Sequence, residues 1–288
     1  MEVGVRLKLG SRTNLRRGAS VAAVMSLLAG LTVHVAGAAG IVPPRDPASN
    51  VAAQPAYNTV AGHMYQVGAA LPPCRRWLAN KLVADPQAPQ CVTAEVQATN
   101  RAHRLERVAD VTLPRNFASL TANEQLLVLV DLERVSRGEA PVLGLSPAAD
   151  VMAQRGAQAN QDPVLSDPHS VPGATGGWTA NWAAAVSPLD ANYSWMYLDG
   201  WAGKGKTFNY LCTSAGARGC WGHRNDILVN SSTLPCYAAS CSLVMGAGSV
   251  NQHWSIYNSY TELLIQVSTR APALVYSWRQ ALAAGARA

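Results

Sequence analysis

Six cysteines, at positions 74, 91, 212, 220, 236 and 241, set the first limit on how this chain can fold. They stand in three sequence-local pairs, and closing a short loop costs less chain entropy than closing a long one. Of the fifteen pairings open to six cysteines, local closure favours Cys74–Cys91, Cys212–Cys220 and Cys236–Cys241. An even count of cysteines suits an oxidising compartment. The zinc alternative needs close cysteine pairs or histidines in rhythm with them, and Cys236-x4-Cys241 alone approaches that spacing.

The N-terminal sequence agrees with export. Arg6, Lys8, Arg12, Arg16 and Arg17 make a basic start, residues 20–35 are apolar and nearly uncharged, and Ala36-Gly37-Ala38 supplies small residues for cleavage. Residues 1–38 read as a signal peptide. The alternative is an uncleaved anchor, but the apolar run is short for a bilayer span. Five basic residues and one acid leave with this segment, so the formal charge falls from +6 to +2. The basic balance therefore belongs to targeting. No Lys/Arg cluster interleaved with aromatics remains, which disfavours nucleic acid as a partner. Expected location is secreted or cell-envelope, with no stable membrane insertion after cleavage.

Proline and alanine without periodicity mark residues 39–55 as a linker. Residues 56–113 form an N-terminal extension stapled by Cys74 and Cys91, with helical composition over 93–108. The main domain spans residues 114–268, and residues 269–288 form a C-terminal tail after Pro272. Helix starts are well signalled. Thr121 and Glu124 form a capping box, and Ser146-Pro147 and Ser187-Pro188 each place a capping residue before proline at the first helical position. Residues 242–246 and 260–267 read as strands. Helices first and strands last predict an α+β fold, helices packed around a small sheet.

The order of motifs then resembles a known family. A helix over residues 124–137 is followed by an alanine-rich second helix and His169. Ala180-Asn181-Trp182-Ala183, Trp195-Met196-Tyr197-Leu198-Asp199-Gly200, Gly222-His223-Arg224-Asn225-Asp226-Ile227-Leu228 and Met245-Gly246-Ala247-Gly248 come next. Together these are similar to the CAP superfamily (cysteine-rich secretory proteins, antigen 5 and pathogenesis-related proteins of class 1), and in particular to its bacterial SCP-like extracellular branch. The resemblance covers about half the chain.

It implies a three-layer α-β-α sandwich with an open cleft lined by two histidines and two acids. His169 and His223 match the histidines, and Asp199 matches the second acid. The first acid would precede Asn181, where this chain has Ala180; Glu262 and Glu139 are candidates to replace it. His169, Asn181, Asp199 and His223 are thus the expected cleft residues. His169, His223 and Asp199 would also be the ligand set of a divalent metal such as zinc, with water fourth. The bland reading makes both histidines hydrogen-bonded structural imidazoles and Asp199 a salt-bridge residue, and under it no cofactor is expected. Trp178, Trp182, Trp195, Trp201, Trp221 and Trp254 line an apolar cleft in one reading and pack the core in the other.

Hydrolase signatures are missing. Gly144-Leu145-Ser146-Pro147-Ala148 lacks the second glycine of a nucleophile elbow, and no His-Glu-x-x-His occurs. The leading expectation is a non-catalytic module binding a small apolar ligand, lipid-like or sterol-like by the resemblance, or an extracellular protein partner. The alternative is a metal-dependent hydrolase of peptide or cell-wall material.

Overall fold

A computed structural model describes residues 75–85, 87–201, 209, 211–230, 233–236, 240–251, 257–268 and 272–288. The signal peptide, the linker, Cys74 and Trp254 lie outside the described residues. All the described residues fall within one compact unit, Gly40–Ala288.

The chain enters through a hairpin, β1 (Arg75–Leu78) and β2 (Lys81–Ala84). Helix α1 (Pro89–Glu106) follows, with proline in its first turn and Arg107 in the left-handed conformation at its end. It buries Cys91, Glu95, Ala98, Thr99, Ala102 and His103, a helical face. Helix α2 (Ala122–Ser136) starts at the expected capping box: the Thr121 N–H donates to Glu124 Oε2 at 2.7 Å and the Glu124 N–H to Thr121 Oγ1 at 3.3 Å. Residues 125–134 are buried without interruption, so α2 is surrounded on all sides. Helix α3 (Pro147–Ala159) begins after Ser146, whose side chain makes no cap, and α4 (Pro188–Tyr197) begins at Ser187, whose side chain does. A six-residue helix, α5 (Gly222–Ile227), precedes the two long strands, and α6 (Trp278–Ala283) closes the fold behind a Ser277–Gln280 capping box.

The main sheet has five strands: β3 (Gly144–Leu145), β4 (Ala174–Ala185), β5 (Ser242–Val250), β6 (Asn258–Val267) and β7 (Tyr276–Ser277). Their order is β4-β6-β5-β3-β7. β3 runs parallel to β5 and the other neighbours are antiparallel, so the sheet is mixed. The α+β class follows from these elements.

Alternation along the strands divides the core. Met245, Ala247 and Leu264 pack with α1, α2 and α4, whereas Val244, Leu263, Ile265 and Val267 pack with Ala149, Met152 and Ala153 of α3. Helices therefore cover both faces. Contact with α3 is close because two strand positions carry no side chain. A Cβ on Gly246 would lie 2.3 Å from the Ala149 carbonyl, and one on Gly248 2.6 Å from that of Ala153.

β4 is the longest strand and has no counterpart among the two strands the sequence marks. It is rich in alanine and glycine and poor in β-branched residues, and its partner β6 supplies the pairing instead. Residues 276–277, in the segment read as a tail, form the opposite edge of the sheet. Disulfides join Cys212 to Cys220 and Cys236 to Cys241, as local closure predicts. Cys91 is also disulfide-bonded.

A buried charged network ties α1 to the rest. Glu106 accepts two bonds from Arg224, at 3.0 and 2.8 Å, and one from Arg137 at 2.7 Å. Glu133 accepts from Arg137 at 2.6 Å and from Tyr197 at 2.7 Å, and lies 3.0 Å from His103 Nε2. Burial alone would raise the Glu133 pKa, but the His103 and Arg137 charges overcome it and hold the carboxyl well below its usual range.

Candidate functional site

His223 stands on α5, which starts from Trp221 in the left-handed conformation. The Trp221 N–H donates to the Asp199 carbonyl at 3.0 Å, fixing the entrance of α5 on the end of α4. From there the His223 Nδ1 reaches Asp199 Oδ1 at 2.6 Å. Asp199 is held from two further sides. Asn209 Nδ2 donates to Oδ1 at 2.6 Å and the Arg224 N–H to Oδ2 at 3.3 Å. Asn209 also donates to Gly219 O at 2.8 Å, beside the Cys212–Cys220 bridge. The carboxylate is 1% exposed and the imidazole 23%, so one partner is buried and the other meets solvent. Burial alone would lower the His223 pKa. Its hydrogen bond to Asp199, with the charges of Asp199, Asp162 and Asp226, raises it to about 9 instead.

Three more acids surround this pair. Asp226 lies one helical turn beyond His223, on the same face of α5. Burial, with the Asp162 and Asp199 charges and against that of His223, raises its pKa to about 7. Asp162, in the loop after α3, faces the Trp182 backbone N–H and the charges of His223 and Asp199. Glu262 comes from β6, directly opposite Asn181 of β4 in the strand register. Asn181 Nδ2 donates to Glu262 Oε1 at 2.6 Å and to the His223 carbonyl at 2.9 Å. Burial and the Asp226 charge raise the Glu262 pKa to about 8, although the Asn181 hydrogen bond opposes them.

Three of the four expected cleft residues, Asn181, Asp199 and His223, are thus joined by short contacts. His169 stands on an exposed 3-10 turn (Pro168–Ser170), and its own backbone N–H donates to Asp167 at 2.9 Å. The hydrogen bonds that join the other three do not reach it. Ala180 packs with the core cluster on the α3 side of the sheet. Glu139 instead accepts from Asn230 at 2.9 Å. The acids Asp162 and Asp226 carry no expectation from the sequence. Asp226 had a signal, its i+3 spacing from His223; Asp162 had none.

The donor set does not fit the expected zinc ligands. Both Asp199 oxygens accept hydrogen bonds, and His223 Nδ1 is bound to one of them. Among the described residues, no three His, Cys, Asp or Glu side chains are grouped to hold a metal ion. Trp195 and Trp221 are buried and pack structurally, whereas Trp178 is 37% exposed.

A groove of about 340 Å³ runs along α3, lined by Met152, Arg155, Asp162, Pro163, Val164 and Ser166 among others. Asp162 belongs to both the groove and the acids around His223. No protein-family model, curated protein or solved structure matches the chain.

Proposed function

We propose that this is an exported, CAP-like binding module that takes a small amphipathic molecule, with its polar head at His223 and Asp162 and its apolar part in the α3 groove. Helices on both faces of the sheet support the layered fold. Disulfides support an oxidising compartment, and no described helix is long and apolar enough to cross a membrane. The observation that carries the reading is the partly exposed imidazole, held by a buried carboxylate, with Asp162 shared between the acids around it and the α3 groove. Groups with shifted pKa values gathered beside a cleft make it a functional-site candidate. A protein partner at the same opening is less favoured, because the groove is small. The hydrolase alternative has less support, since the zinc set does not form.

Titration calorimetry with octanol tests this directly. Saturable binding is expected, weakened about tenfold by Val164→Glu, which changes an exposed groove wall. No binding to the folded protein, or binding indifferent to Val164→Glu, would overturn the proposal.

A further inference from the structure

β4 forms one edge of the main sheet, and α3 lies over β5 and β6 beside it. Successive residues of a strand point to opposite faces, and from Ala180 to Ala185 the burial alternates strictly. Asn181, Ala183 and Ala185 are buried, whereas Ala180 and Trp182 are half-buried and Ala184 is exposed. Trp178 stands on the same face as these three and is 37% exposed. The open face of β4 thus presents two indoles with alanine between them and no charged residue of its own. Four strand residues, about 13 Å of backbone, separate the two tryptophans.

The Trp182 ring is held in place. Its indole N–H donates to Ser259 Oγ at 2.8 Å, and Ser259 stands on β6 two residues from Thr261, the register partner of Trp182. An indole that reaches this diagonal neighbour lies along the sheet instead of standing out from it. Asp162 accepts from the Trp182 backbone N–H, which sets an exposed carboxylate at the strand edge.

We propose that this face binds an uncharged β-1,4-linked glycan, its pyranose rings stacked on Trp178 and Trp182 and its hydroxyls donating to Asp162. Such a chain is flat and presents C–H groups on its ring faces. Indoles offer it large, rigid apolar contact at small entropic cost, and an ionised carboxylate only accepts hydrogen bonds. A second copy of the chain fits less well as the occupant. Both backbone groups of Trp182 are already taken, the N–H by Asp162 and the carbonyl by the Trp195 indole at 3.1 Å, and the pairing register breaks between Ala174 and Trp178. An anionic lipid surface fits less well too, because residues 160–186 hold Asp162 and Asp167 but no Lys or Arg. The inference does not rest on the α3 groove, with which it shares Asp162 alone.

Titration calorimetry with cellohexaose, chitohexaose and the coiled α-linked maltohexaose tests it. Saturable binding of at least one β-1,4 hexaose is expected, with maltohexaose about tenfold or more weaker. Trp178→Ala, at an exposed position, is expected to weaken the β-1,4 hexaose about tenfold or more, the scale of a lost aromatic anchor. Trp178→Tyr is expected to retain most of the affinity, and octanol binding should be the same in all three proteins. The proposal is overturned if neither β-1,4 hexaose binds, if maltohexaose binds equally well, or if the folded Trp178→Ala protein binds like the parent. A dimer in sedimentation that Trp178→Ala dissociates, with no glycan bound, would overturn it and assign the face to self-association.

Discussion

Glu262 is fully buried on a central strand with one carboxyl oxygen unpartnered, a position where an ionised side chain is costly. Its pKa is raised, so the folded state prefers the protonated form. The associated stabilisation is complete below the ordinary value near 4.5 and is lost as pH rises through about 8. His223 acts in the same direction, its contribution complete below about 6.5 and lost as pH passes about 9. Unfolding free energy from urea titrations is therefore expected to fall between pH 6 and pH 9. Glu262→Gln, which cannot ionise, is expected to remove part of that fall, on the order of 3 kcal/mol; an equal fall in both proteins would refute this. At this scale the sequence was partly legible. The order of motifs pointed to His169, Asn181, Asp199 and His223, of which hydrogen bonds join the last three and not His169. Asp162 could not be read, because its place depends on where the loop after α3 crosses the edge of the sheet.

Helices show their beginnings in local chemistry, which is why Thr121, Pro147 and Ser187-Pro188 could be read directly, although the Ser146 side chain makes no cap. β4 could not be read in the same way. Its run of Ala, Gly, Thr and Trp has little strand propensity, and the ladder with β6 determines its conformation. Close packing of α3 depends on a second non-local feature, the bare backbone at Gly246 and Gly248. Gly246→Ala must displace the Ala149 main chain, so a loss of about 1–3 kcal/mol or more is expected in denaturant unfolding. A variant within 0.5 kcal/mol of the parent, on the order of an ordinary surface substitution, would show that α3 can move away freely.

Assembly of the whole domain explains why the segment before residue 114 matters to the site. α5 carries His223, and the next residue, Arg224, reaches back to Glu106 at the end of α1 with two hydrogen bonds. Glu95 of the same helix accepts from Ser187 at 2.6 Å, where α4 begins. Chemistry read from residues 169–228 thus stands on a helix whose sequence shows none. Nothing local reveals this, because the contacts span more than ninety residues of chain. Glu106→Ala leaves Arg224 and Arg137 without that carboxylate, and breaking a buried ion pair costs roughly 3–5 kcal/mol. A loss near that size is expected in thermal or urea unfolding, and a neutral result would detach α1 from the support of α5. The central claim is that a buried Asp199 holds a solvent-reached His223 imidazole in its charged form. An NMR titration of the His223 ring in the parent and in Asp199→Asn measures this most directly. An apparent pKa near 9 is expected in the parent, with a clear fall in the variant. A His223 that titrates near 6.5 in both proteins would contradict the account.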